Sequence, residues 1–112
     1  MKQRSFELHR PADVFAGRPR EELYREFLRV PALSAGVYRL AAGSADPQRP
    51  HREDELYVVL EGRARFRAGE RVCSLTGGEV LYVPAALEHR FEDIEEDLTL
   101  LVMFAPAESA TD

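Results

Sequence analysis

The chain has 112 residues, 45% of them hydrophobic and 31% charged, with a net charge of −5 at pH 7. That length suits one domain with a real core, and an acidic chain without a basic stripe carries no footprint for a nucleic-acid partner. A single cysteine, Cys73, excludes an intrachain disulfide and agrees with a reducing compartment.

Residues 1–10 alternate weakly, with Phe6 and Leu8 on one side, and allow a short strand. The first residues are basic but lack the apolar run of a signal peptide. Residues 18–30 read as a helix. Pro19 suits its first position, Glu21 and Glu22 favour its N-terminal dipole, and Leu23, Tyr24, Phe27 and Leu28 form an apolar stripe that Pro31 ends. Residues 1–33 are therefore expected to be an extension of one strand and one helix on a barrel spanning 34–106.

From Ser34 the pattern changes to strands. Val37, Tyr38 and Leu40 mark one that ends at Gly43, and residues 42–50 are a loop rich in small and turn-forming residues. Glu55 to Leu60 is the next strand, with Glu61-Gly62 as a turn. Arg63 to Ala68 alternates arginines with Ala64 and Phe66, a half-buried strand with a charged solvent face. Arg71 to Leu75 returns the chain and carries Cys73, read as a small buried thiol. Glu79 to Val83 is a strand stopped by Pro84, and His89 to Phe91 opens another. The acids between Glu92 and Asp97 read as a solvated turn. Leu98 to Phe104 is a continuous apolar strand for the middle of a sheet. The longest apolar run, Leu98 to Ala107, is too short for a membrane helix, so a cytoplasmic chain with no membrane partner is expected. Residues 107–112 read as a flexible polar tail. Short strands at intervals of about 8–12 residues suggest an antiparallel sandwich or barrel.

Two stretches carry chemistry. The first is Pro50 to Gly62, which holds His51 and Glu55; the second is Gly78 to His89. Side chains two apart on a strand face the same way, so positions 51, 55 and 57 share a parity if the strand is regular. Two imidazoles and a carboxylate suit Fe, Zn, Mn or Ni, with positions open for water, O₂ or substrate.

These residues resemble a small single-domain cupin. His51-x3-Glu55-x6-Gly62 is similar to the second half of that family's first motif. Gly78-x5-Pro84-x-Ala86-x2-His89-x3-Asp93 is similar to its second, with Ala86 for a glycine and Asp93 for an asparagine. The resemblance covers residues 34–105. It implies an all-β, double-stranded β-helix (a jelly-roll barrel), a divalent transition metal held inside by His51, Glu55 and His89, and a homodimer. The first motif histidine falls on Arg49, whose guanidinium donates only and cannot coordinate a cation. Gln48 is the nearest replacement ligand, and Arg49 is a candidate clamp for an anionic substrate. Tyr57, Phe66 and Phe91, with Tyr38, Tyr82 and Met103, are candidate pocket lining. The family supports a metal-dependent enzyme on a small polar molecule (oxygenase, isomerase or lyase), a non-catalytic ligand-binding or sensing module, and a barrel used for pairing.

Overall fold

The computed structural model describes residues 5–109. Its six strands are β1 (Tyr24–Val30), β2 (Leu33–Leu40), β3 (Asp54–Ala68), β4 (Arg71–Thr76), β5 (Val80–Val83) and β6 (Arg90–Ala105), preceded by a 3₁₀ turn at Pro11–Asp13. Every pairing is antiparallel. The strand order is β1-β2-β6-β3-β4, with β5 pairing β3. The architecture is the double-stranded β-helix of the sequence reading, without its helix.

The two longest strands do most of the folding. The first half of β3 sits between β5 (Glu55↔Val83) and β6 (Glu55↔Phe104), and its second half between β4 (Phe66↔Cys73) and β6 (Phe66↔Phe91). Register irregularities between Val59 and Arg65 mark the bend that joins the halves. Glu61-Gly62 is therefore not a turn, as expected, but a kink inside one strand. Gly62 takes a φ of 103°, and a Cβ there would strike the carbonyl of Asp97 and lie 2.7 Å from Leu98 Cα. Only glycine gives both the left-handed backbone and the close approach.

Likewise, Glu92 to Asp97 is not a solvated turn but part of β6. The acids are tolerated there because they face the arginines of β3. Arg63 pairs with Glu95 at 2.8 Å, Arg67 with Glu92 at 2.7 Å, and Arg65 stands 3.7 Å from Asp93. Asp93 has a φ of 48°, which aspartate accepts more readily than most residues.

The expected helix over residues 18–30 is replaced by edge strand β1. Its register with β2 runs from Tyr24↔Tyr38 to Val30↔Leu33, shifting between Glu26 and Leu28. The i,i+3 charges that imitate a helix are satisfied in the strand, with Arg29 bonded to both oxygens of Glu26 at 3.1 and 2.9 Å. Long-range pairing overrides local propensity here. Gly36 of β2 leaves the space that the Tyr24 ring occupies. The strand anticipated around Phe6 and Leu8 is not formed over residues 5–10, and both side chains are exposed; residues 1–4 lie outside the described residues.

Leu98, Leu100, Val102 and Phe104 of β6 pack against Tyr57, Val59 and Phe66 of β3 and Leu40 of β2. Burial of each large side chain contributes about 1.5–3 kcal/mol. Cys73 is exposed on β4 rather than buried, because β4 ends the sheet. Tyr82 is 59% exposed on β5. Met103 is half-buried on the face of β6 opposite Val102 and Phe104. Among the described residues no helix is long and apolar enough to cross a membrane.

Candidate metal and ligand site

Residues 41–53 link β2 to β3 and bring the first motif to the barrel. Asp46 anchors this loop. Its carboxylate accepts hydrogen bonds from the Tyr38 hydroxyl (2.5 Å), the Gln48 side-chain amide (2.7 Å), the Gln48 backbone N–H (3.1 Å) and the Phe91 backbone N–H (2.9 Å). The two motifs are joined directly, since the Ala86 N–H donates to the His51 carbonyl at 2.7 Å. Ala86 has a φ of 65°, the conformation that the glycine of the related motif would adopt without strain.

Glu55 and Tyr57 lie two apart on the inward face of β3, 2% and 1% exposed, and His89 ends the β5–β6 loop, also buried. His89 Nδ1 is 2.7 Å from the Leu87 carbonyl, an acceptor only, so Nδ1 carries the proton. Nε2 then points inward, 3.2 Å from Glu55 Oε1 and 3.2 Å from the Tyr57 hydroxyl. That hydroxyl donates its own proton to Gln48 Oε1 at 2.9 Å. Nε2 thus meets oxygen lone pairs, which call for a proton or a cation between them. Burial opposes protonation of His89, but the hydrogen bonds to Glu55 and Leu87 outweigh it and hold its pKa above the ordinary value. Burial, reinforced by Glu55, pushes the Tyr57 pKa well up, so its phenol stays neutral.

His51 lines the inner cavity with Glu55, its ring 4.7 Å from that of Phe104 and its Nδ1 3.1 Å from Glu108 Oε2. The Glu108 hydrogen bond raises its pKa against the effect of burial. An inner cavity of about 120 Å³ is lined by Tyr24, Tyr38, Gln48, His51, Glu55 and Glu108, among others. Two buried polar atoms facing it, Glu55 Oε2 and the Tyr24 hydroxyl, have no hydrogen-bond partner among the described residues. An outer cleft of about 490 Å³ runs past Gln48, Arg49, Arg67, His89 and Arg90.

The structure therefore gathers His51, Glu55 and Gln48 on one cavity and sets His89 against Glu55. Arg49 lines the outer cleft, while Phe66 and Phe91 form the wall behind the site. Phe66 lies 5.5 Å from the His89 ring, and Phe91 lies 5.0 Å from Tyr57. Two donors each about 2.1 Å from one cation are roughly 3.0–3.4 Å apart for right-angle to tetrahedral geometry. The 3.2 Å from His89 Nε2 to Glu55 Oε1 fits such an edge, and the unpartnered Glu55 Oε2 fits a missing positive group. As placed, no group of three or more His, Cys, Asp and Glu side chains among the described residues is drawn tightly enough to hold an ion. His51 is instead engaged with Glu108. Tyr24, Asp46 and Glu108 escaped the sequence reading: the first was assigned to a helix face, the second to a turn, the third to a tail.

The family described as Cupin domain (Cupin_2) matches residues 36–104. An uncharacterized protein of Streptomyces coelicolor is 46% identical over 86 residues, covering 77% of this chain and 82% of its own length. An RmlC-like cupin with a double-stranded β-helix fold from Methanocaldococcus jannaschii aligns with a TM-score of 0.70 at 16% identity, covering 95% of this chain and 93% of that one. The DMSP lyase DddQ of Ruegeria pomeroyi aligns with a TM-score of 0.66 at 21% identity over 77% of this chain, which spans about half (48%) of that enzyme.

Proposed function

Because the chain belongs to the cupin family, we propose that its inner cavity binds a divalent transition metal through His51, Glu55 and His89, with Gln48 as a further oxygen donor, and that the site takes a small polar molecule. The observation that carries this reading is the buried Glu55–His89 pair, 3.2 Å apart, whose second carboxylate oxygen has no hydrogen-bond partner among the described residues. The donor set of imidazole and carboxylate suits Fe, Zn, Mn or Ni. Such an ion supplies Lewis acidity when bound.

The rest of the site belongs to the chain. The inner cavity, about 120 Å³, holds about four waters at 30 Å³ each, so only a small group of a ligand enters it. The bulk of a ligand sits in the outer cleft, where Arg49 meets an anionic group through its two parallel N–H donors. Tyr57, kept a neutral phenol, holds its proton toward Gln48, with its hydroxyl oxygen 3.2 Å from His89 Nε2. Phe66 and Phe91 exclude water behind the His89 ring. Two readings use the same residues: turnover of the small molecule by oxygenation, isomerisation or elimination, and reversible binding or sensing. The narrow inner cavity favours the second. Homodimerisation belongs to the proposal too, since β1 and β4 end the sheet and exposed edges invite pairing. Light scattering after size-exclusion chromatography tests this, and a strict monomer at high concentration refutes it.

The decisive test is metal content of purified wild-type, His51→Ala and His89→Ala proteins. The reading requires stoichiometric metal in the wild type and its loss in both variants. Equal metal in all three sinks it. If metal is bound and no substrate in a broad panel is turned over, the binding reading stands.

A further inference from the structure

The residues after β6 form a strap tied to the β1–β2 turn, to β2 and to the loop before β3, with Glu108 lining the inner cavity. The backbone N–H groups of Ala107, Glu108 and Ser109 each have a designated acceptor: the Pro31 carbonyl at 3.3 Å, the hydroxyl of fully buried Ser34 at 2.8 Å, and Oε2 of buried Glu53 at 3.1 Å. Arg29 donates to the Glu108 carbonyl at 2.7 Å. With its backbone held at both N–H and C=O, Glu108 turns its side chain inward, and only 18% of that side chain stays exposed. It meets His51 Nδ1 at 3.1 Å.

This contact repeats the arrangement at the other histidine. His89 gives its Nδ1–H to the Leu87 carbonyl and keeps Nε2 for Glu55 and the Tyr57 hydroxyl. A carboxylate beside His51 Nδ1 selects the same tautomer, since a carboxylate oxygen only accepts. An imidazole whose outer N–H is tied to such an acceptor is fixed in orientation and made a stronger donor at its other nitrogen. Position 49, where the related motif has a histidine, is an arginine that points to the outer cleft. The cavity therefore depends more heavily on the orientation of His51.

We infer that Glu108, carried by the strap, is the positioning residue of His51, holding the Nδ1–H tautomer so that Nε2 is presented to the ligand cavity. The inference rests on the proposed metal reading for its purpose but not for its geometry. Glu108 acts through His51 and is not itself a ligand. The Tyr24 hydroxyl, which lines the same cavity and has no partner among the described residues, remains for a bound molecule or water.

The test compares wild type, Glu108→Gln and Glu108→Ala, each confirmed folded by circular dichroism. Long-range ¹H–¹⁵N NMR reads the His51 tautomer in metal-free protein at about pH 9, where an ordinary histidine is neutral. Calorimetric titration with Co²⁺ reads affinity. Wild type should show Nδ1–H. Glu108→Ala should shift His51 toward Nε2–H and weaken Co²⁺ binding by about 10- to 100-fold, the usual effect of losing such a partner. Glu108→Gln, whose amide oxygen also accepts, should keep the tautomer and stay within a few-fold of wild-type affinity. An unchanged tautomer in Glu108→Ala overturns the inference. So does equal loss of affinity in the Gln and Ala variants, which would make Glu108 a direct ligand or a purely structural anchor. If wild type takes up no Co²⁺, the metal reading falls alone, and the tautomer result still decides the role of Glu108.

Discussion

Removing His89 tests whether it and Glu55 form one electrostatic unit. Glu55 is 2% exposed in the wild type; His89→Ala removes the partner of Oε1 at 3.2 Å, while Oε2 has none among the described residues. Stranding a buried carboxylate in this way costs about 3–5 kcal/mol. Loss of the ring that packs 5.5 Å from Phe66 adds to the cost. In wild type, Glu55→Gln exchanges a charge-assisted bond for a neutral one, a loss of about 1 kcal/mol. In the His89→Ala background the same change removes the stranded charge and should recover about 1–3 kcal/mol. The sign of Glu55→Gln therefore reverses between backgrounds. Urea denaturation of the four proteins at pH 7 with EDTA, fitted with a common m-value, measures this. If Glu55→Gln has the same effect in both backgrounds to within about 0.5 kcal/mol, the two groups are not coupled and the reasoning fails.

Gly62→Ala places a Cβ against the Asp97 carbonyl at a φ of 103°; strain and overpacking together should cost about 3 kcal/mol or more, whereas Gly69→Ala, at φ 62° with open space around it, should cost about 1 kcal/mol in the same thermal melts. Ala86→Gly relieves the left-handed backbone at φ 65° and, after the greater freedom glycine gives the unfolded chain, should raise stability by about 0.5 kcal/mol in urea melts. The His51 pKa is raised in the fold, chiefly by the Glu108 hydrogen bond with help from Glu55 and against His89 and burial. Its contribution is fully present below the unfolded histidine pKa of about 6.5 and fades as pH climbs through the raised folded value. Glu108→Ala should accordingly destabilise more at about pH 5.5 than at about pH 9, and an equal loss at both would refute the ion-pair assignment.

The barrel and much of the site are legible because they rest on short-range signals. Gly43, Gly69, Gly77-Gly78 and Pro84 do fall between strands, Arg63 to Arg67 alternates as a strand must, and the loops that carry His51 and Ala86 are joined by the Ala86–His51 hydrogen bond. What stayed hidden depends on partners far along the chain. An apolar stripe at Leu23, Tyr24, Phe27 and Leu28 fits a helix as well as a bulged edge strand, and only pairing with β2 decides. The acids of β6 look like a loop until Arg63, Arg65 and Arg67 are set across from them. Glu108 lies in a polar segment whose only distinction is where Ser34 and Glu53 hold it. Cys73 and Tyr82 were misplaced because alternation gives the two faces of a strand without telling which strand ends the sheet.

The central claim is that His51, Glu55 and His89 share one cation. Anomalous diffraction at the cobalt edge from a Co²⁺-soaked crystal tests it most directly. A single peak bonded to Nε2 of both imidazoles and to a Glu55 oxygen is the predicted result. A well-ordered barrel with no peak in that cavity, or with its peak on other side chains, would contradict it.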